Sequence, residues 1–439
     1  MIEKDNGLDW SQVLSLKALL KLLKLEVISE LSLINKYLRS KLNPLLFNHV
    51  LLNGNNLINY VGNSRESESL KVSVNKLSNY INQKEESDYD ISQLKNLEID
   101  HIINSLNSDL LRIRNHATYF KLSYLKAFGY STMSLAYSFI NLTELYVFNC
   151  SISHISIIKL GEYFKQLKIL TIDQVKVISN LKKNKLTLKM INLPGTLEKL
   201  VIVNCRIVFK PLVDTIYDLA NLSTEIELTP FDLILPINIP NLKSLKFDHI
   251  GDQEKYVRKF LQLNPQIKAI EVCPYYLDQK TLDCIAINSS NLTELAIYGD
   301  YDSLSELNFP TFNYITNLSV GEFPYDSLQL SKKLISSCPN LSALTLNFKQ
   351  AGIEIKPLNK FLRNFVSQIN SLNEIKIMIF DYDSAKIDIN CLNNITKLTI
   401  ECCDESIYKI KPNKLPLKLA YFKVESWETG QKFEIKKTD

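Results

Sequence analysis

Glycine and histidine are scarce in this chain, at 11 and 5 of its 439 residues. The glycines are isolated, so no phosphate-cradling loop can be drawn through them, and neither GxGxxG nor GxxxxGK[ST] occurs. His49, His101, His116, His154 and His249 are scattered, with no HExxH and no base-and-nucleophile pattern such as GxSxG. The 8 cysteines contain no CxxC pair and no Cys/His ligand spacing, which argues against a disulfide framework or a zinc site. A net charge of +4, without any run of five or more basic residues, is too mild and dispersed for nucleic acid. The first residues lack the basic-then-apolar order of a signal peptide. The most apolar early stretch, Leu14 to Leu33, is broken by Lys17, Lys21, Lys24 and Glu26 and cannot span a bilayer. These absences set the expectations: no enzyme, no cofactor, no metal, no nucleic acid, no membrane, and a cytoplasmic or nuclear location.

What the chain does have is repetition. The pattern apolar-x-x-apolar-x-apolar begins at Leu94, Leu122, Leu142, Leu167, Leu197, Leu242, Ile267, Leu292, Ile315, Leu341, Leu372, Ile395 and Leu419, about every 25 residues. A degenerate copy, Ser223-Thr-Glu-Ile226-Glu-Leu228, sits in the one long gap. This is the leucine-rich-repeat pattern. No single repeat offsets its own chain entropy, so stability must come from stacking. Leu-x-Leu alternation is half-buried strand spacing. Several return segments are helical instead, as in Lys255–Asn264, Leu330–Ile335 and Leu358–Ile369. The expected fold is therefore an α/β solenoid with its parallel strands on the concave face. Cys150, Cys205 and Cys403 each fall eight residues after the start of a copy, where a small buried residue fills the turn. The sequons Asn141-Leu-Thr, Asn291-Leu-Thr and Asn340-Leu-Ser lie at strand starts and read as by-products of the repeat, not glycosylation sites.

The N-terminal region is different. Val13 to Leu25 and Leu31 to Leu42 carry apolar residues at helical spacings, and Pro44 is expected to end the second helix. The expected organisation is a helical module over 8–50, a linker or degenerate opening repeats over 51–93, and the repeat array with a polar C-terminal cap over 94–439. Directly after the helices, Phe47-Asn-His-Val50-Leu-Leu52 fits the apolar template, as an imperfect entry repeat would.

The helical module resembles an F-box. The likeness rests on Leu8-Asp9-Trp10, on Leu31-Ser-Leu33-Ile34-Asn35-Lys36-Tyr37-Leu38-Arg39, and on Pro44-Leu45-Leu46-Phe47. It covers about 45 residues. With the repeats behind it, the whole chain resembles a fungal-type F-box/leucine-rich-repeat protein with ribonuclease-inhibitor-like repeats. The resemblance implies a Skp-type adaptor bound through Leu8, Trp10, Leu33, Ile34, Tyr37, Leu38, Pro44 and Leu45. It also implies a target protein held on the concave face, with the chain monomeric apart from its complex, as the substrate receptor of a cullin-type ubiquitin ligase. The alternative is a free-standing scaffold or inhibitor whose N-terminal helices only cap the array.

The outward strand positions make a candidate partner surface. Tyr124, Lys126 and Phe128 on one copy, with Glu144, Tyr146 and Phe148 on the next, are expected to form an aromatic patch with charges beside it. The competing expectation is that a loop from Gly54–Asp90 covers those rings.

Overall fold

The computed structural model describes residues 25–34, 36–53, 103–104, 106–108, 110–126, 129–179, 192–209, 228–230, 237–248, 254–273, 279–287, 290–298, 307–321, 328–348, 355–379, 387–402, 418–426 and 432–436. The chain divides into two compact units. One comprises Met1–Leu197 with Asn204–Phe231, the other Glu198–Val203 with Asp232–Asp439. Both are parallel-sheet arrays of leucine-rich-repeat type.

The first unit opens with two helices, α1 (Leu25–Ile34) and α2 (Lys36–Leu46). Ile28, Leu38 and Leu42 form a small core of their own between them, with Leu31 and Leu46 packed against it. α2 runs past Pro44 to Leu46, two residues beyond the expected stop. The proline stands in the last turn, where its missing N–H costs one bond, and Phe47 N–H still closes on Asn43 O at 2.9 Å.

Four parallel strands follow: β1 (His49–Asn53), β2 (Tyr119–Lys126), β3 (Glu144–Ser153) and β4 (Ile169–Asp173). β1 pairs directly with β2, so the Phe47 template supplies the opening strand. The copy at Leu94 lies outside the described residues. In β2 the register is Tyr119 opposite Glu144 and Leu122 opposite Val147. The buried apolar triplet is therefore Ala117, Phe120 and Leu122, not one that starts at Leu122. Two overlapping templates share Leu122, and the earlier one wins because it stacks Phe120 on Leu145 in the core.

Four repeats turn a corner through a residue in the left-handed region: Tyr124 (φ 57°) within β2, Asn149 (48°) within β3, Gln174 (54°) and Asn204 (53°). The next residue in each case, Leu125, Cys150, Val175 or Cys205, is buried at 5% exposure or less and anchors the corner. The chain then enters a second small sheet made by Ser151–Ser153 of β3, β5 (Lys176–Ser179) and β7 (Arg206–Phe209). The short strand β8 (Leu228–Pro230) joins β7 antiparallel. Helices α3 (Gly129–Ala136), α4 (His154–Ile158) and α5 (Leu160–Tyr163) complete the returns.

In the second unit β6 (Lys199–Val203) pairs directly with β9 (Ser244–Asp248), so the degenerate copy at Ser223 inserts no strand there. β10 (Ala269–Cys273), β11 (Glu294–Tyr298), β12 (Asn317–Gly321), β13 (Ala343–Phe348), β14 (Glu374–Ile379), β15 (Lys397–Cys402) and β16 (Tyr421–Ser426) follow, all parallel and in register. β17 (Lys432–Lys436) closes the array antiparallel to β16. Helices α6 (Glu254–Leu263), α7 (Gln279–Ile287), α8 (Leu328–Ser336) and α9 (Ile355–Asn364) are the returns.

Every copy from Leu142 to Leu419 sinks its three apolar residues to 5% exposure or less. Each fully buried aliphatic side chain contributes roughly 1.5–3 kcal/mol, and the continuous row they form is the core. Polar groups at the strand starts are matched with equal regularity. Two successive backbone N–H groups donate to one carbonyl of the preceding repeat, as Thr143 and Glu144 do to Thr118 O, and Ser342 and Ala343 to Thr316 O. The side chains of the sequons belong to this ladder. The Asn141 amide donates to Asn115 O at 2.8 Å and the Thr143 hydroxyl to Thr118 O at 3.0 Å. Asn340 donates to Asn313 O at 2.7 Å and Ser342 to Thr316 O at 3.1 Å. Asn-Leu-Thr recurs because it satisfies backbone groups one repeat back.

Candidate functional sites

In the first unit the residues that face away from the core make three rows. The first is His49, Tyr119, Glu144 and Ile169, the second Leu51, Lys121, Tyr146 and Thr171, the third Asn53, Ser123, Phe148 and Asp173. Period-2 alternation puts them there: the first two rows sit between residues of the buried triplet and the third directly after it, with Ser123 of that row buried. Tyr146 and Phe148 occupy the expected positions, with ring centroids 6.3 Å apart. Tyr124 does not. It stands at the left-handed corner within β2, where the register shifts, is 54% exposed, and its ring lies edge-on to Phe148 at 4.9 Å. Lys126 falls opposite Cys150 in register, off the face of Tyr146, and its side chain lies outside the described set, as does all of Phe128.

The earlier phase of β2 brings other residues to the face. Lys121 takes the place beside Tyr146, its Nζ 4.7 Å from the ring centroid, a cation–π contact. Tyr119 stacks on His49 at 4.9 Å, and Leu51 is 55% exposed. Partial burial, with the Glu144 carboxylate next to it, pushes the Tyr119 hydroxyl above its ordinary pKa. Burial first, then Asp173, does the same to Tyr146. Both rings are therefore neutral hydrogen-bonding groups at physiological pH. His49, Leu51, Tyr119 and Lys121 were not anticipated. Successive spacings of 25 residues, from Ala117 to Leu142 to Leu167, were the signal that could have found them.

On the helix pair, Leu33 is 71% exposed and Leu45 41%, and Pro44 is also at the surface. Leu38, expected to contact an adaptor, is instead 1% exposed inside the helical core, because it shares a face with Leu42 one turn on. Leu8 and Trp10 lie outside the described residues, as do the side chains of Ile34 and Tyr37.

The open face of the second unit has another character. Between β9 and β14 it forms a trough of about 450 Å³ floored by Ala269, Ala296, Ser319 and Ala343. Beyond it ion pairs cross the strands, Lys376 with Glu401 at 2.7 Å among them. Among the described residues no group of three or more His, Cys, Asp or Glu is placed to hold a metal ion, and no helix is long and apolar enough to cross a membrane.

No family model matches the chain, and no curated protein matches it. Among solved structures it is similar to a crystal structure of a TLR13–ssRNA13 complex, at 14% identity and a TM-score of 0.27. That match covers 65% of this chain and 45% of the other, so the chain spans less than half the length of that protein.

Proposed function

We propose that the chain is a non-catalytic protein-binding receptor, whose open sheet face in the first unit holds a protein partner and whose helix pair docks a Skp-type adaptor. On this reading it is the substrate-recognition subunit of a cullin-type ubiquitin ligase. One observation carries the binding face. Tyr124 is kept in a left-handed backbone conformation where two of the three equivalent corners use asparagine, and it is kept there exposed, against Phe148. Backbone strain at a bulky exposed residue costs stability and marks a function the fold does not need. Exposed aromatics beside a lysine are the usual anchors of a protein interface. For the adaptor contact the support is Leu33 and Leu45, two leucines left at the surface of a helix pair that already has its own core. The F-box resemblance supplies the partner. Ribonuclease-inhibitor-like repeats and a cytoplasmic or nuclear location belong to the same proposal.

The test is a pull-down of the full chain with a Skp-type adaptor, beside the Leu33→Ser/Leu45→Ser variant. Capture by the parent and its loss in the folded variant are expected. Absence of capture, or equal capture of both, leaves the alternative, a free-standing scaffold whose helices cap the array. That second reading draws on the two-residue link from α2 to β1, where the Asn48 carbonyl accepts from the Thr118 and Tyr119 amides.

A further inference from the structure

We infer that the trough on the open face of the second unit is a docking site for an extended, basic segment of a partner protein, with the Glu294 carboxylate as its central anchor. The chain is net positive overall, at +4, yet the trough is lined by three carboxylates, Glu271, Glu294 and Glu374, and by no lysine, arginine or histidine. The outer two are already matched from outside the trough, Glu271 by Lys246 at 2.6 Å and Glu374 by Lys397 at 2.5 Å. Among the described residues no cation pairs with Glu294, which stands between them. The face therefore has a place for one more positive charge, at its middle.

Shape agrees with charge. The floor is cut to the depth of short side chains across four successive strands, and 450 Å³ lies within the range of specific binding clefts. One wall is built and fixed. A Cβ on Gly321 would come within 2.5 Å of Asn347 Cβ and 3.0 Å of the Tyr298 ring, so the glycine is what lets Tyr298 stand against its neighbour strand. From β9 to β14 there are five strand spacings, about 24 Å, the length of about seven extended residues. Short floor side chains and three lining carboxylates favour arginine or lysine flanked by small residues. The inference rests on the reading of these sheets as protein-binding faces, but on neither the aromatic face of the first unit nor the adaptor contact. It can fail while both of those survive.

The experiment is a selection of random twelve-residue peptides on the full chain, with counter-selection on the Ser319→Arg variant, which plugs the floor. Expected are peptides that bind the parent only, enriched in arginine or lysine. The strongest of them, measured by fluorescence anisotropy at low salt, should lose at least tenfold in affinity on Glu294→Gln, and further affinity as salt is raised. No selected peptide, acidic or purely apolar peptides, or an affinity indifferent to Glu294→Gln would overturn the inference. Should Ser319→Arg fail to fold, Glu294→Lys serves as the counter-selector, and peptides that bind it as well as they bind the parent count against the site.

Discussion

Single residues in this protein have roles that differ sharply from one repeat to the next at equivalent positions. Tyr124, Asn149, Gln174 and Asn204 share one corner conformation, which costs tyrosine more than asparagine. Tyr124→Asn should therefore raise the stability of the first unit by about 1 kcal/mol in urea titration, and at the same time weaken partner binding. A variant that is stabilised and binds normally removes Tyr124 from the interface. Cys150 and Cys338 show the opposite case of a reactive group made inert, since burial pushes each thiol up to about 12. Neither forms thiolate at pH 8, so iodoacetamide followed by mass spectrometry should leave both unlabelled in the native protein and label both in urea. Asn264, 1% exposed, bridges repeats by accepting from Ile239 N–H at 2.7 Å and donating to Ile237 O at 2.8 Å. Asn264→Ala leaves those groups unmatched and should cost about 1–3 kcal/mol.

At the scale of elements, strands were legible in the sequence wherever the apolar triplet is unambiguous. From Leu142 onward nearly every copy gives a strand in the expected register, because burying three residues of one face fixes the phase of the rest. The phase failed at β2, where Leu122 serves two overlapping triplets and only contact with Leu145 across the sheet decides between them. The candidate aromatic patch failed with it in part, keeping Tyr146 and Phe148 and gaining Lys121 and Tyr119. Pro44 misled for a different reason, since a proline in a last turn forfeits a single bond. Which leucine of α2 is core and which is surface depends on the partner helix, and that was not visible in a stripe of leucines. Two element-scale outcomes follow. Tyr146→Ala/Phe148→Ala should abolish most partner recovery in affinity-purification mass spectrometry while thermal melting stays unchanged. Leu145→Ala, next to Tyr146 in sequence but on the buried side, should lower stability by roughly 2–5 kcal/mol through the cavity it leaves.

For the molecule as a whole, each strand depends on its two neighbours and on little else, so damage should stay local. Hydrogen exchange makes this measurable. Leu344→Ala opens a cavity in β13, and amide protection should fall in β12, β13 and β14 while β3 and β4 keep theirs. Uniform loss of protection would mean a single cooperative block.

The antiparallel strand β17 gives that same independence a boundary. A parallel sheet offers its last edge as a template on which another strand of the same direction can lie, and repeats that stack by a fixed rule have no internal reason to stop. β17 covers the edge of β16 with a strand running the wrong way, and its own outer side shows Lys432, Glu434 and Lys436 to solvent. Duplication of a repeat between β10 and β15 would lengthen the array and leave this antiparallel pairing in place. Loss of these five residues would leave the outer edge of β16 unpaired and open to pairing with a strand of another chain.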